Sequence, residues 1–258
     1  MINENKVLKP NPIPETNSPV IEIKNLYKSF GKNEVLKGVN LTVNKGENLV
    51  ILGKSGSGKS ITIKCIVGLI GIDKGEINVF GTDIAKLDPT ALNEIRIRIG
   101  FLFQNAALYD SMSVRDNLGF TLKRHAKDLT PEEVENQIKE ILESVGLIEA
   151  IDKMPSELSG GMRKRIGLAR TLILKPEIIL YDEPTTGLDT ITSREISELV
   201  LEIQKKYKTS SIIITHDMAC AKHTSDRLMI LKDGIIHAEG TYEELEKSDD
   251  EWVRSFFI

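Results

Sequence analysis

The sequence contains a glycine-rich octapeptide, GKSGSGKS, that matches the phosphate-binding pattern GxxxxGK[ST]. In this pattern the backbone amides, here those of residues 55–60, surround a β-phosphate, the lysine neutralises β- and γ-phosphate oxygens, and the final hydroxyl binds Mg²⁺. The lysine and the metal-binding hydroxyl are those of Lys59 and Ser60. The nucleotide-binding positions predicted from this phosphate loop are Gly53, Lys54, Ser55, Gly56, Ser57, Gly58, Lys59 and Ser60.

An acidic pair follows an apolar run later in the chain, in EIILYDEPT at positions 177–185. Such a run is typical of a buried parallel strand, and sheets of this kind place functional groups where the strands end. Asp182 is predicted to bind Mg²⁺, and Glu183 to act as the general base that polarises an attacking water. Combined with the phosphate loop, the pair indicates nucleotide hydrolysis.

Two more polar residues end strand-like runs. His216 follows SSIIIT, and its imidazole is predicted to hydrogen-bond the γ-phosphate, with a structural role as the alternative. Gln104 ends RIGFLFQ, and its side-chain amide is a candidate contact to Mg²⁺ or to the attacking water.

A second glycine-rich turn raises a question about the number of phosphate sites. LSGGMRKRIGLAR, at positions 158–170, runs from a Ser-Gly-Gly turn directly into a basic helix. Glycines allow a close approach of backbone amides to an anion, and a helix N-terminus favours negative charge. We call residues 158–161 the signature turn; its candidate phosphate-binding residues are Ser159, Gly160 and Gly161.

These groups require a scaffold that brings strand ends together. ENLVIL precedes the phosphate loop and the helical pattern SITIKCIVGLI follows it, which is the strand–loop–helix order that phosphate loops need. VIEIKN and VNLTVN alternate as half-buried strands do. The predicted fold class is α/β: a P-loop NTPase core with a mixed sheet, an N-terminal antiparallel β subdomain, and an inserted α-helical lobe at about residues 88–175. Within the lobe, Thr130 and Glu133 form a predicted capping box.

The composition narrows the classes of function. The 258 residues are 40% hydrophobic and 28% charged, with a formal net charge of −4, so no nucleic-acid partner is predicted. The apolar runs are too short to span a bilayer, and the N-terminus lacks the apolar core of a secretion signal. Residues 1–19 are predicted to be an extended, proline-rich leader. Cys65 and Cys220 lack metal-ligand spacing and are predicted to be reduced thiols.

The motif order is phosphate loop, Gln104, LSGGM, DEPTTGLD and TH, and it resembles the nucleotide-binding domain of ABC transporters over residues 20–246. The resemblance implies bound ATP and Mg²⁺, and a head-to-tail dimer of two copies. In such a dimer the signature turn contacts the γ-phosphate in the other copy, which explains the second glycine-rich turn. The resemblance also implies that adenine stacks on Phe30 in YKSFG, with Tyr27 as the alternative. The loop TGLD, which ends at Asp189, would link the two sites.

LSGGMRKRIGLAR has Met162 where the commoner signature has glutamine, and with FQNAALYDSMSVRDNLGF and GLDTITS it is similar to the ATPases of Mla/Mce-type lipid transport systems. Thr190 departs from the proline usual there. This resemblance implies an integral membrane permease, a Mce-type lipid-binding protein and a lipid cargo, with phospholipid expected. The location implied is cytoplasmic: the protein would attach peripherally to the cytoplasmic face of the inner membrane by binding the permease.

Three other classes of function compete with this one. The nearest is the ATPase of an ABC importer or exporter for a polar solute. A non-membrane ABC ATPase of DNA repair or translation is disfavoured, because the chain has a single cassette and no room for a coiled-coil insert. A P-loop metabolite kinase would explain GKSGSGKS but not the signature turn.

Two surface segments are candidate partner contacts. The resemblance implies that NAALYDSMSVRDNLGF receives a helix of the permease, and its mixture of apolar and charged residues suits a wet interface. Its apolar members are Leu108, Tyr109, Met112 and Leu118. The C-terminal apolar tail, residues 247–258, is predicted either to pack on its own domain or to contact the dimer partner or permease.

Overall fold

The computed structural model describes residues 19–126 and 128–257, so residues 1–18 of the predicted leader lie outside the described part. The strands are β1 (Ile21–Phe30), β2 (Asn33–Val43), β3 (Asn48–Leu52), β4 (Lys74–Val79), β5 (Thr82–Asp83), β6 (Ile99–Leu102), β7 (Ile178–Asp182), β8 (Ser210–Ile214), β9 (Arg227–Lys232) and β10 (Ile235–Gly240). The helices are α1 (Lys59–Ile66), α2 (Pro89–Ile97), α3 (Val114–His125), α4 (Pro131–Ser144), α5 (Gly160–Leu172), α6 (Thr190–Tyr207), α7 (Met218–Thr224), α8 (Tyr242–Glu246) and α9 (Glu251–Arg254).

The strands form two sheets, as predicted. The N-terminal sheet has the order β2-β1-β4-β5 and is antiparallel. The core sheet has the order β10-β9-β3-β8-β7-β6, and its pairs are parallel except β9 with β10. All five residues of β3, of β7 and of β8 are buried, which is why each strand contains at least three consecutive apolar residues.

The predicted bounds of the helical lobe, about 88–175, are too wide. β6 lies inside that range, yet it pairs in parallel with β7 at the edge of the core sheet. RIGFLFQ reads as a strand in the sequence, but an apolar run does not indicate which sheet it joins, so the predicted lobe range includes β6. The lobe proper consists of α3, α4 and α5, which pack on one another.

Alternate residues of β3 are buried in two different hydrophobic cores. Val50 and Leu52 belong to the core that lies against the helical lobe, α6 and α7. Leu49 and Ile51 belong to the core that lies between this sheet, the N-terminal sheet and α1. Because successive side chains of a strand point to opposite faces, the strand that leads into the phosphate loop is fixed from both sides.

The helix α4 begins with the predicted capping box. The Thr130 hydroxyl accepts a hydrogen bond from the amide of Glu133, whose carboxylate accepts one from the Thr130 amide. The inward face of α4 carries Ile138, Ile141 and Leu142, all buried.

The segment after Gln104 is divided between core and surface. Tyr109 and Phe120 are exposed, and their rings form an edge-to-face pair with centroids 5.4 Å apart. Leu118, expected at a wet interface, is instead fully buried, because it lies on the inward face of α3. The exposed apolar surface of this segment therefore centres on Tyr109 and Phe120.

The C-terminal tail packs against its own domain. Val253 in α9 is buried in the main core. The Trp252 and Phe256 rings meet edge-to-face at 5.0 Å, and Phe257 meets Tyr242 in the same way. This packing corresponds to the intramolecular alternative for the tail.

Both cysteines are free and buried. Burial raises the pKa of the Cys65 thiol to about 11, and burial also raises the pKa of Cys220. Both thiols are therefore protonated and unreactive at neutral pH.

Within residues 19–126 and 128–257, none of the helices combines the length and apolar composition needed to cross a membrane.

We expect Leu142→Ala to lower the free energy of unfolding by about 2–5 kcal/mol, because it leaves a cavity where α4 meets the lobe core. The exposed Ile235 provides a matched control, and Ile235→Ala should change stability by no more than about 0.5 kcal/mol. Urea-induced unfolding followed by circular dichroism measures both values. Equal effects of the two substitutions would contradict the burial assigned to Leu142.

Candidate functional site

The phosphate loop joins β3 to α1 and adopts backbone angles that need glycine. Gly58 caps α1 with φ of 107°, and a Cβ on it would lie 2.6 Å from the Leu36 side chain. A Cβ on Gly53 would lie 2.4 Å from the carbonyl oxygen of Leu231. These two positions therefore require glycine for two reasons: the turn needs its backbone angles, and other segments of the same chain approach too closely for a side chain.

The Lys59 side chain folds back over this loop. Its Nζ donates to the carbonyl oxygens of Gly53 at 2.7 Å and Lys54 at 3.2 Å. Burial lowers the pKa of Lys59, against the opposing influence of the Glu183 and Asp182 carboxylates. An ammonium held in this way is available to a phosphate that replaces the two carbonyls.

Ser60 and Asp182 meet although they are 122 positions apart. The Ser60 hydroxyl donates to Asp182 Oδ1 at 2.7 Å, and Asp182 is buried at the end of β7. A hydroxyl and a carboxylate are oxygen donors of the kind that Mg²⁺ takes together with substrate phosphates. The two predicted metal ligands therefore fit the ion chemically.

Glu183 and His216 also form a pair. His216 Nδ1 lies 2.7 Å from Glu183 Oε2, and the Thr186 hydroxyl donates to the same carboxylate oxygen at 2.9 Å. Glu183 has a left-handed backbone with φ of 54°, an uncommon conformation for a residue with a side chain. Its amide donates to the carbonyl of Ile214 in β8, so the turn is anchored to the sheet.

One cavity of about 620 Å³ joins these groups. Its lining includes the phosphate loop, Gln104, Glu183 and His216. Phe256 of the C-terminal tail also lines this cavity, which the sequence pattern did not predict. The residues lining this cavity do not include the signature turn.

The two candidate aromatic residues for adenine stacking differ in how closely their rings pack against the rest of the chain. Phe30, the last residue of β1, is 48% exposed, with the Lys28 ammonium 5.4 Å from its ring centroid. The Tyr27 ring lies across Gly38, where a Cβ would come within 2.9 Å of its hydroxyl oxygen. Phe30 is therefore the more exposed of the two candidates, at 48% against 39% for Tyr27.

The signature turn lies beside the TGLD loop of the same chain. Ser159 caps α5, and its Oγ accepts from the amide of Met162 at 3.2 Å. Asp189 caps α6 in the same way, accepting from the amides of Ile191 and Thr192. A Cβ on Gly161 would lie 2.5 Å from the Thr192 side chain, and one on Gly160 would lie 3.4 Å from that of Leu188. The two loops thus form one surface at the N-terminal ends of α5 and α6.

A buried lysine next to the site was missed by the sequence reading. Lys164 in α5 is 6% exposed, and its Nζ donates to the carbonyl oxygens of Gln104 and Glu183. A signal was present, because Lys164 is spaced four and eight residues from Leu168 and Leu172, two buried positions of the same helix. A lysine in an apolar row is a candidate for a buried ion.

Comparison with known proteins identifies the family. Residues 36–186, more than half of the chain, match the family described as ABC transporter. The probable ribonucleotide transport ATP-binding protein mkl of Mycobacterium leprae is 41% identical over 92% of this chain and 68% of its own length. TRIGALACTOSYLDIACYLGLYCEROL 3, a chloroplastic protein of Arabidopsis thaliana, is 39% identical over 92% of this chain and 73% of its own length.

A solved structure gives the same result for the fold. The dimeric ATP-binding cassette MJ0796, bound to ADP and Pi in a post-hydrolysis state, has a TM-score of 0.78 and 32% identity over 86% of this chain and 98% of its own. The predicted α/β fold and the predicted resemblance to ABC nucleotide-binding domains are therefore confirmed. The protein belongs to the ABC transporter family, as an ATPase subunit with the family's ATP-binding cassette.

Proposed function

We propose that this ABC ATPase energises lipid transport, with phospholipid as the expected cargo, across or between envelope membranes through a separate permease. It would act at the cytoplasmic face of the inner membrane, bound to that permease. The observation that carries the ATPase mechanism is the cavity in which the phosphate loop faces Gln104, Glu183 and His216. The signature turn lies outside the lining of that cavity, which supports its use by a second copy.

In this proposal the phosphate loop and Phe30 bind ATP. The adenine stacks on the exposed Phe30 ring, and the phosphates lie against the amides of the loop. Lys59 exchanges its two carbonyl partners for phosphate oxygens. Mg²⁺, held by Ser60 and Asp182 with Gln104 as a further candidate, would supply positive charge that stabilises the phosphates.

The chemical step is assigned to Glu183. Its carboxylate accepts a proton from the attacking water, while His216, which already lies against that carboxylate, contacts the γ-phosphate. The Thr186 hydroxyl fixes the orientation of the same carboxylate. A carboxylate whose Oε2 is held by two partners keeps one orientation toward the attacking water.

The signature turn would complete the site of a second copy in a head-to-tail dimer. Ser159, Gly160 and Gly161 present the N-terminal end of α5, which has 13 residues and favours negative charge. The adjoining TGLD loop, ending at Asp189, would then lie between the two ATP molecules. Each copy thus supplies both halves of a two-site dimer.

We expect Glu183→Gln to bind MgATP normally and to hydrolyse it about 100- to 10,000-fold more slowly, because the amide cannot accept the proton of the water. ATP-bound dimers should accumulate and elute early in size-exclusion chromatography. Lys59→Ala is the contrasting variant, in which binding itself is weakened because the phosphate charge loses its counter-ion. Near-normal turnover of Glu183→Gln would remove Glu183 from the role of base.

Ser159→Arg tests the use of the signature turn in trans. A bulky cation at the turn blocks close approach to the facing γ-phosphate, so ATP-driven dimerisation should be lost. ATP binding by the isolated monomer should be unchanged, since Ser159 does not line the monomer's own cavity. Calorimetric titration with ATP and light scattering measure the two properties. Loss of monomer ATP binding would show that the turn acts in cis.

The lipid cargo is supported by similarity. The signature LSGGMRKRIGLAR and the segments around it are similar to Mla/Mce-type ATPases. The Arabidopsis relative is named for a galactolipid, trigalactosyldiacylglycerol. The mycobacterial relative is named for ribonucleotide transport, so a polar solute is the competing cargo. A Mce-type lipid-binding protein is the additional partner expected for a lipid system.

The exposed Tyr109–Phe120 pair is the proposed docking surface for the permease. Tyr109 is 46% exposed and lies five residues after Gln104, and the Arg170 guanidinium is 5.9 Å from its ring centroid. An aromatic pair bordered by charges is the composition of an interface anchor. Docking here would bring the permease next to Gln104, which lines the cavity proposed to hold the phosphates.

We expect Tyr109→Ala to uncouple the ATPase from its permease, because the change removes the more exposed member of the aromatic pair. Met112→Arg should act in the same direction. ATP binding by the purified subunit should be unchanged, while recovery of the permease on affinity purification from membranes should fall. Ile235→Ala, which removes an equally exposed apolar side chain elsewhere, should recover the permease normally.

The cargo is then identified from the recovered complex. Mass spectrometry should find a permease of the Mla/Mce type with bound phospholipid, and deletion of the ATPase should increase sensitivity to detergents. A growth defect confined to uptake of one polar solute, with detergent resistance intact, would assign the cargo to the competing class. The ATPase assignment does not depend on this outcome.

A further inference from the structure

Lys164 joins two parts of the ATPase site through its buried ammonium. Its Nζ donates to the carbonyl oxygen of Gln104 at 2.5 Å and to that of Glu183 at 3.0 Å. Burial lowers the pKa of Lys164, while the Glu183 and Asp182 carboxylates oppose that change. A buried ammonium is strongly dependent on its hydrogen-bond partners, so these contacts fix the two carbonyls with respect to each other.

The same face of α5 holds the rest of the turn that follows Gln104. Gly167, three residues after Lys164, allows Ala106 to approach so closely that a Cβ on the glycine would lie 2.7 Å from the alanine Cβ. Arg170, three residues further, donates from Nη1 to the carbonyl of Ala107. Residues at this spacing lie along one side of a helix, so α5 supports residues 104–107 at three successive points.

This support has a conformational reason. Ala106 and Ala107 both have left-handed backbones, with φ of 57° and 50°, and Glu183 has φ of 54°. Residues with side chains are rarely left-handed, and such conformations persist where the surrounding structure imposes them. Lys164 contacts the carbonyl of the left-handed Glu183 and the first residue of the left-handed turn.

We propose that Lys164 is a positioning residue of the ATPase reaction, which holds the Gln104 turn and Glu183 of its own chain together and ties both to the helix of the signature turn. The inference rests on the proposed function for the direction of its effect. Ser159 begins α5 and would contact ATP in the partner, whereas Lys164 serves the site of its own chain. The two positions are separated by about 7.5 Å along one helix, at 1.5 Å per residue.

A consequence is mechanical coupling between the two ATP sites. When the signature turn binds the partner's γ-phosphate, the first turns of α5 become fixed. Because Lys164 lies in the second turn, the carbonyls of Gln104 and Glu183 become fixed with it. Occupation of one site would therefore order the water-activating residues of the other.

The first test separates positioning from binding. We expect Lys164→Met in the full chain to lower kcat by roughly 10- to 100-fold with an unchanged KM for ATP, because a displaced base acts poorly on its water. Lys164→Gln retains an N–H donor without the charge and should restore most of the loss. Lys205→Met makes the same change at an exposed position of α6 and should have wild-type kinetics.

Several results would overturn the proposal. A wild-type kcat for Lys164→Met excludes a positioning role, and a raised KM with normal kcat assigns Lys164 to nucleotide binding instead. If Lys164→Met fails to fold, Lys164→Gln decides the matter: a fully active, stable Gln variant supports donation to the carbonyls, and an inactive stable one contradicts it. Thermal melting of each variant gives the folded fraction.

The second test determines whether Lys164 acts in cis. Two differently tagged chains, one carrying Glu183→Gln, are purified as a mixed dimer in which one site hydrolyses ATP. Lys164→Met on the chain with intact Glu183 should slow turnover by the same roughly 10- to 100-fold. Lys164→Met on the Glu183→Gln chain should leave turnover equal to that of the reference mixed dimer.

The mixed dimers distinguish failure of the Lys164 proposal from failure of the proposed two-site function. Equal slowing by both arrangements would show that Lys164 acts through general stability or through the signature turn, which contradicts the cis role. Failure of the reference chains to form an ATP-dependent dimer would contradict the proposed two-site function. In that case the kcat and KM comparison of the Lys164 variants still decides the positioning role.

Discussion

The site depends on one constraint: the carboxyl ends of neighbouring buried parallel strands meet at a single edge of the core sheet. β3 leads into the phosphate loop, β7 into Asp182 and Glu183, and β8 into His216. The Ser60–Asp182 hydrogen bond, 2.7 Å long, forms across that edge. Because β3 is packed into two cores at once, displacing this strand, which leads into the phosphate loop, requires disruption of both.

The second organising feature is a balance of buried charge. Lys59 and Lys164 are both buried cations whose pKa is lowered by desolvation, and both lie near Asp182 and Glu183. Opposite charges in a poorly hydrated site stabilise each other only when every group has a hydrogen-bond partner. The carbonyls of the phosphate loop, Gln104 and Glu183 provide those partners. ATP would therefore enter a site whose charges are already positioned rather than one that must form around it.

Much of the fold and site could be predicted because the relevant signals are local. The phosphate loop is a continuous octapeptide, and the acidic pair and the histidine each follow an apolar run that can be recognised without other parts of the chain. Lys164 could not be assigned in this way, since its role depends on α5 crossing the Gln104 turn, 60 positions away. Leu118 was misplaced for a related reason: its burial depends on which side of α3 faces α4 and α5. The run that contains β6 is strand-like, but its place in the core sheet depends on pairing with β7, which lies far along the chain.

The state of the two cysteines makes the protein convenient for spectroscopy. Cys65 and Cys220 are the only cysteines in the chain, and both are buried thiols with raised pKa. Maleimide reagents attack exposed thiolates, so neither native thiol competes well in the folded protein. A cysteine introduced at an exposed position would accept a fluorophore or spin label selectively in the native background. Distances between two such labels could then report the approach of two copies around ATP, without first replacing residues in either hydrophobic core.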